Sequence, residues 1–196
     1  MQGDDKRKIR TRRALAAALM ELATRRPYES ITIREITTQA DVGYATFFRH
    51  YDSKDKLMLD IFQDIARHLE MMAGQHDEDF FEQEGMLIFS HVKDNAAFYR
   101  SVLDSLTFTR KLRKLFTQHI GQHVQRYMLQ NPDAVVMPEI AANHMAVSLV
   151  GLIDWWLESR MRLPVAQMAR LYDRLVVGAT WHAILENNPL PLPWEV

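Results

Sequence analysis

Apolar residues recur every three or four positions over most of the chain, and this spacing predicts amphipathic helices. The alternation of apolar and polar residues that indicates strands is nearly absent from the pattern. Proline and glycine are sparse, with seven of each, and they fall between the periodic segments. The pattern therefore predicts an all-α protein with about nine helices, over residues 5–25, 33–39, 43–50, 53–73, 78–92, 95–105, 109–130, 138–159 and 165–186.

Charge is divided unevenly along the chain, although the formal net charge is only −1. Residues 1–56 hold 12 Lys and Arg against 8 Asp and Glu, whereas the remaining residues hold 12 against 17. A basic amino-terminal part followed by a more acidic body is typical of a chain that contacts nucleic acid through one part only. We therefore predict two domains, a head over residues 1–56 and a helical body over residues 57–196.

The short helices of the head have the pattern of a helix-turn-helix. Thr32 and Glu35 form a T-x-x-E capping box, in which side-chain oxygens satisfy free amides at the start of a helix. The sequence ADVG follows as a tight turn, and we expect Asp41 to adopt a positive φ, which aspartate tolerates better than most residues. A helix, a short turn and a second helix in this order predict a helix-turn-helix.

The second helix of this motif carries several rings, which divide into two groups. Phe47 and Tyr51 are four residues apart and share one face, so we expect both in the core. Tyr44 and Phe48 point elsewhere and are expected at the surface.

The stretch ITIREITTQADVGYATFFRHYDSKDKL resembles the head of the TetR family of transcriptional regulators, and the resemblance covers about residues 10–62. The segments AFYRSVL at 97–103 and WWLESRM at 155–161 resemble a TetR-like C-terminal domain. The resemblance implies a three-helix head on a larger helical body that binds a ligand and dimerises. The residues that stand in the family's positions are Thr32, Ala40, Val42, Thr46, Phe47, Tyr51, Lys54 and Leu57.

The resemblance also implies which residues contact DNA. A recognition helix enters the major groove with its amino-terminal residues at the base edges, which here are Tyr44, Ala45 and Thr46. Arg49 is expected to reach a guanine edge or a phosphate. Two positions depart from the family, which commonly has tyrosine at Phe48 and often serine at Gly43; the glycine leaves its amide open to a phosphate. The expected phosphate anchors are Thr32, Arg34, His50 and Lys54.

The function implied by the resemblance is a DNA-binding transcriptional regulator, by family default a repressor. It would bind a palindromic double-stranded operator as a homodimer, through the helices near 138–159 and 165–186. A small-molecule effector would modulate it, but the sequence names neither that effector nor its pocket. No cofactor is expected. An architectural DNA-binding protein is disfavoured because such proteins carry a larger excess of Lys and Arg.

The alternative is a helical enzyme or sensor with chemistry in the body. His119 and His123 are four residues apart, which is the spacing of a two-histidine metal site, but no third ligand is evident. Trp155 and Trp156 are expected to serve the core and a dimer interface rather than a cofactor pocket. Glycine-rich phosphate loops, nucleophile elbows and paired carboxylates do not stand out, so we expect no catalytic residues and no metal.

The composition points to a location in the cell. Cysteine is absent, which excludes disulfides and Cys-ligated metal sites and fits a reducing cytosol. The amino terminus lacks the apolar core of a signal peptide, and the apolar segment near 141–157 is interrupted by polar residues. We therefore expect a cytoplasmic protein with no membrane partner.

Overall fold

The computed structural model describes residues 2–73, 80–128 and 136–185, and every regular element in these ranges is helical. This confirms the all-α prediction. Within these ranges the α-helices are α1 (Gln2–Arg25), α2 (Ile33–Gln39), α3 (Tyr44–Phe47), α4 (Lys54–Ala73), α5 (Phe80–Asp94), α6 (Ala96–Leu103), α7 (Leu106–Met128), α8 (Pro138–Glu158), α9 (Val165–Tyr172) and α10 (Gly178–Leu185).

The predicted helices match the observed ones in order, but the helix predicted over 43–50 spans only Tyr44–Phe47, and the predicted final helix is divided. A π-helical turn, Asp173–Val177, separates α9 from α10. The Gly178 amide donates to the carbonyl of Asp173, five residues earlier, and a Cβ at position 178 would lie 3.2 Å from that oxygen. Glycine therefore suits this turn. The predicted ends at 78, 130 and 186 lie outside the described residues.

The described residues group into two compact units, and unit one comprises the chain up to Met72 together with His91–Leu112. Its core holds an aromatic cluster with Phe62 of α4 in the middle. The Phe62 ring centroid lies 5.7 Å from that of Phe98, 5.8 Å from that of Tyr99 and 6.1 Å from that of Phe108. Aromatic pairs at these separations stabilise a core beyond their buried area. The cluster therefore ties α6 and the start of α7 to α4.

Unit two comprises the described parts of Ala73–Ser90 and Arg113–Val196. Trp156 of α8 is buried there, and its indole Nε1 donates to the carbonyl of Leu163 at 2.9 Å. The edge of this ring meets Phe89 of α5 at a centroid distance of 5.5 Å. The burial of Trp156 confirms its predicted place in the core.

The predicted domain boundary after residue 56 does not coincide with the packing. Unit one retains α4 as far as Met72, and it also includes α6. The division between the two units falls within α5 and within α7. The boundary after residue 56 therefore stays a prediction about function.

Among the described residues, α8 is long and apolar enough to cross a membrane by length and composition. Half of the relevant segment is buried inside the protein. A core helix of a globular protein passes the same test, so this property of α8 is weak evidence for a membrane span.

Candidate nucleic-acid interface

The start of α2 is fixed by the predicted capping box, which the structure confirms. The Thr32 Oγ1 atom accepts a hydrogen bond from the Glu35 amide at 3.3 Å, and the Glu35 carboxylate accepts one from the Thr32 amide at 2.9 Å. Arg26 pairs with the same carboxylate at 2.7 Å. The hydrogen bond from the Thr32 hydroxyl, the one from its amide and the Arg26 contact lower the pKa of Glu35 to about 2.

The turn after α2 contains the predicted left-handed residue. Asp41 has a φ of 51°, which confirms the expectation from the sequence. The Val42 amide donates to the carbonyl of Thr37 at 2.9 Å, closing the turn. The motif is therefore held at both ends of α2 by local hydrogen bonds.

The rings of α3 and the following turn divide as predicted. Phe47 is fully buried and Tyr51 is 8% exposed, whereas Tyr44 is 52% exposed and Phe48 is 46% exposed. The Tyr44 and Phe48 rings touch edge to face, with centroids 5.3 Å apart. These two large rings therefore form an exposed aromatic face that lies outside the core.

The other predicted DNA contacts on α2 and α3 are also accessible. Arg34 and Arg49 are exposed, and neither guanidinium makes a hydrogen bond or an ion pair with another described residue. Their charges are therefore available to a phosphate or a base. We call the exposed residues of α3 and its flanks the recognition strip: Gly43, Tyr44, Ala45, Phe48 and Arg49, with the half-buried Thr46 and His50 beside them.

A hydrogen-bonded network that the sequence did not predict anchors the end of the recognition strip. The Tyr51 hydroxyl donates to the Asp60 carboxylate of α4 at 2.6 Å. The Arg12 guanidinium of α1 binds both oxygens of that carboxylate, at 2.5 and 2.6 Å, and its Nε donates to the Tyr51 hydroxyl at 3.1 Å. Burial, with the Asp60 contact, raises the pKa of Tyr51 to about 12. The network joins α1, α4 and the segment after α3.

Lys54 has partners that the sequence did not indicate. Its Nζ donates to the carbonyls of Tyr28, Glu29 and Ile31 at 2.8, 3.0 and 2.9 Å. It also lies 4.5 Å from the centroid of the Tyr28 ring. Burial lowers the pKa of this ammonium. Since an ammonium has three donors, a phosphate contact would require it to leave one of these carbonyls.

A second polar cluster in unit one joins the head to the start of α7. The Tyr28 hydroxyl donates to the Asp55 carboxylate, which also pairs with Lys111 of α7. Burial of Asp55 raises its pKa, but the hydrogen bonds from Lys111 and Tyr28 outweigh this effect and hold the pKa below its usual value. The Ser105 hydroxyl binds the Glu29 carboxylate beside them. Two of the three contacts in this cluster join residues that are 56 or more positions apart in the sequence. The sequence pattern therefore did not reveal the cluster.

In unit two, the residues proposed for an alternative chemistry occupy different environments. His119 and His123 lie on one face of α7, with ring centroids 5.4 Å apart, as their spacing predicts. Trp155 is 47% exposed, whereas its neighbour Trp156 is buried. The expectation that the histidine pair holds no metal stays a prediction.

The fold and the recognition strip define an all-α regulator that binds DNA through a helix-turn-helix. Residues 15–61 match the model of the bacterial regulatory proteins of the tetR family, and residues 78–178 match the model described as a transcriptional regulator C-terminal region. The second match alone covers more than half of the chain. The chain belongs to the TetR family of transcriptional regulators.

Individual relatives agree with this assignment. The HTH-type transcriptional regulator YxbF of Bacillus subtilis is 26% identical in an alignment of 177 residues that covers 85% of this chain and 44% of that protein. The chain thus spans less than half the length of this curated relative. A TetR transcriptional regulator from Streptococcus agalactiae has the same fold, with 23% identity and a TM-score of 0.61 over 89% of this chain and 98% of that one.

RolR in complex with resorcinol is a further neighbour in fold. It is 18% identical, with a TM-score of 0.59 over 95% of this chain and 98% of that one. At this level of identity the similarity shows the fold alone.

Proposed function

We propose that the protein is a cytoplasmic transcriptional repressor that binds a palindromic operator as a homodimer and is modulated by a small molecule. The observation that carries the proposal is the recognition strip, in which exposed rings and the exposed Arg49 flank a helix whose Phe47 side chain is buried. Such a surface costs solubility in a protein with no partner for it. A major groove accommodates a helix of this kind.

The recognition strip supplies both kinds of DNA contact. Tyr44, Ala45 and Thr46 stand at the amino-terminal end of α3, where side chains of a recognition helix reach base edges. The Ala45 methyl group suits a thymine methyl, and its small size allows close approach. Arg49 in the strip and Arg34 on α2 are exposed cations whose guanidinium groups have no partner among the described residues, so they suit phosphates.

The remaining predicted anchors have weaker support. The Thr32 hydroxyl is engaged in the capping box, although its side chain is exposed and can accept a further contact. His50 is half-buried against the Tyr51 ring. Lys54 is held by three carbonyls, so we assign its ammonium to the structure of the head rather than to phosphate binding.

The proposed dimer is supported by exposed apolar side chains in unit two. α8 packs against the π-helical turn and α10, and large apolar residues of these segments remain outside the core. On α8 they are Ile140, Val147 and Trp155, and on the π-helical turn Leu175 is 60% exposed. Small exposed residues, Gly178, Ala179 and Ala183, follow on α10 and allow a second helix to approach closely.

We propose allosteric control by an effector that binds the body and alters the spacing of the two heads. A coupling of about 1–3 kcal/mol between effector and DNA is typical of such regulators. The polar cluster of Tyr28, Asp55 and Lys111 supports this proposal, because it links α7 to both ends of the head motif within unit one. The alternative is an enzyme with chemistry at His119 and His123, whose rings lie together on one face of α7.

Selection from a pool of random DNA duplexes tests the proposal. The full-length protein should enrich a palindrome whose half-sites lie about one helical turn apart, or a multiple of that distance. Transcription in vitro from a promoter carrying the enriched sequence should then fall as protein is added. Failure to enrich any sequence would overturn the proposed function, and a rise in transcription would identify an activator instead.

A further inference from the structure

A cavity lies within unit one, between α1, α4 and the end of α5, apart from the recognition strip. Its volume is about 280 Å³. An apolar cavity of about 150 Å³ in another protein is large enough to bind benzene. Space is therefore sufficient for a single-ring molecule with a substituent. The apolar side chains that line the cavity are Ala16, Met20, Ile61, Ile65 and Leu69.

The polar residues at the cavity disfavour a charged ligand. Asp64 and His68 line it and are both exposed, which places them on its solvent side. The Asp64 carboxylate already pairs with Arg67 of the same helix. Burying a charge of either sign against the apolar lining is costly, and an anion would in addition meet the Asp64 carboxylate. The electrostatics of the cavity thus favour a neutral molecule.

His91 also lines the cavity, and one of its ring nitrogens lacks a hydrogen-bond partner among the described residues. Its Nε2 atom is buried, and within the described part of the chain it has no hydrogen-bond partner. A buried polar atom left without a partner is costly. The edge of the ring rests on Tyr99, with centroids 5.8 Å apart.

The protonation state of His91 determines which partner suits it. Burial lowers its pKa and the charge of His68 lowers it further, against the opposing effect of Asp94. The imidazole is therefore neutral at pH 7, with one donor and one acceptor nitrogen. In one neutral tautomer Nε2 is the donor, and in the other it is the acceptor. A hydroxyl group, which donates and accepts, satisfies either arrangement.

We propose that this cavity binds a small neutral molecule that carries one ring and one hydroxyl group, with the hydroxyl hydrogen-bonded to His91. The five apolar side chains contact the ring, and His91 gives the site its preference for a hydroxyl. The test below measures binding without DNA, so the proposal stands or falls separately from the proposed function.

The test uses full-length protein with ¹³C-labelled isoleucine methyl groups, titrated with phenol and with benzene as the matched probe without a hydroxyl. The methyl signals of Ile61 and Ile65 should shift and saturate at millimolar phenol. Those of Ile153 and Ile184, which are buried in unit two, should not move. Phenol should bind about fivefold more tightly than benzene, as one net hydrogen bond provides.

Matched variants locate the binding. Ala16→Leu extends a larger side chain into the cavity and should weaken phenol binding about tenfold, whereas Ala17→Leu places the same side chain on the exposed face of α1 and should leave it unchanged. His91→Phe preserves the ring and should abolish the preference for phenol over benzene. Four results would each overturn the proposal. Two concern the wild type: no shift at Ile61 and Ile65, or shifts confined to Ile153 and Ile184. Two concern the variants: an equal loss of phenol binding in Ala16→Leu and Ala17→Leu, or a retained preference for phenol in His91→Phe.

Discussion

At the scale of single residues, Lys54 shows how one side chain acquires a structural role through tertiary contacts. Its ammonium caps three carbonyls at the turn before α2. Carbonyl oxygens that lose such a partner must find water or remain unsatisfied. We therefore expect the side chain to contribute to the shape of the head rather than to its charge toward DNA.

Lys54→Ala should lower the free energy of unfolding by about 1–3 kcal/mol, because charge-assisted hydrogen bonds to partly buried carbonyls are lost. Lys56→Ala is the matched control, since Lys56 is exposed and should be neutral in stability. Urea denaturation measures both variants. The salt dependence of DNA binding should change little in Lys54→Ala. A fall of about one unit in the log–log slope of affinity against salt concentration would instead indicate that Lys54 contacts a phosphate.

Glu35 gives the head a dependence on pH. Its pKa in the folded protein is lowered to about 2 from 4.5. The ionised carboxylate therefore stabilises the fold above about pH 4.5, and this contribution disappears as the pH falls toward 2. Glu35→Gln should melt at a lower temperature than the wild type at pH 7, and the gap should shrink below pH 4.5. A gap that is constant from pH 7 to pH 3 would contradict the role of the charge.

At the scale of elements, α3 is short and relies on its neighbours for its position. The helix spans Tyr44–Phe47, so its own hydrogen bonds are few. The buried Phe47 holds one side, and the Tyr51 hydroxyl with Asp60 and Arg12 holds the end. A recognition helix on such supports presents its base-contacting residues in a fixed orientation.

Tyr51→Phe should therefore affect both the stability of the head and the binding of DNA. The loss of the hydroxyl leaves Asp60 with only Arg12 and should cost about 1 kcal/mol in unfolding. The free energy of specific DNA binding should fall by a similar amount, because α3 is less firmly held. Tyr44→Phe removes an exposed hydroxyl and serves as the control for stability. Equal stability of the two variants in thermal denaturation would show that the network does not support α3.

The elements also show which features a sequence can predict. The helices followed from apolar spacing, and the capping box and the positive φ of Asp41 followed from residue types at neighbouring positions. These are local effects. The pairing of Arg12 with Asp60 spans 48 positions, and the contacts of Lys54 with the carbonyls before α2 span more than 20 positions. No local pattern encodes contacts over such separations. The π-helical turn was missed because its spacing hardly disturbs the apolar periodicity.

The candidate site was predictable to a similar degree. The exposure of Tyr44 and the burial of Phe47 followed from their spacing, because helical periodicity fixes which residues share a face. The cavity beside His91 could not be anticipated, since its walls come from three helices distant in sequence. Cavities depend on three-dimensional packing, which periodicity does not specify.

At the scale of the whole molecule, the proposed dimer depends on unit two. Leu175→Glu places a charge among the exposed apolar residues of α8 and the π-helical turn, where burial against a second copy would be costly. The variant should be monomeric by sedimentation at micromolar concentration and should lose operator binding. Leu106→Glu is the matched control, because Leu106 is 83% exposed and lies in unit one. A wild-type monomer, or dimers in both variants, would contradict the proposed interface.

The account as a whole rests on sequence-specific recognition of DNA by the strip around α3. The most direct test titrates the wild type and Tyr44→Ala against a library in which each operator position is randomised. If Tyr44 contacts a base, the variant should lose about 1–3 kcal/mol on the operator and relax its preference at one position in each half-site. Binding to random duplex should be nearly unchanged, because the phosphate contacts remain. An equal loss on all sequences, with a lower melting temperature, would contradict base recognition and make Tyr44 a structural residue.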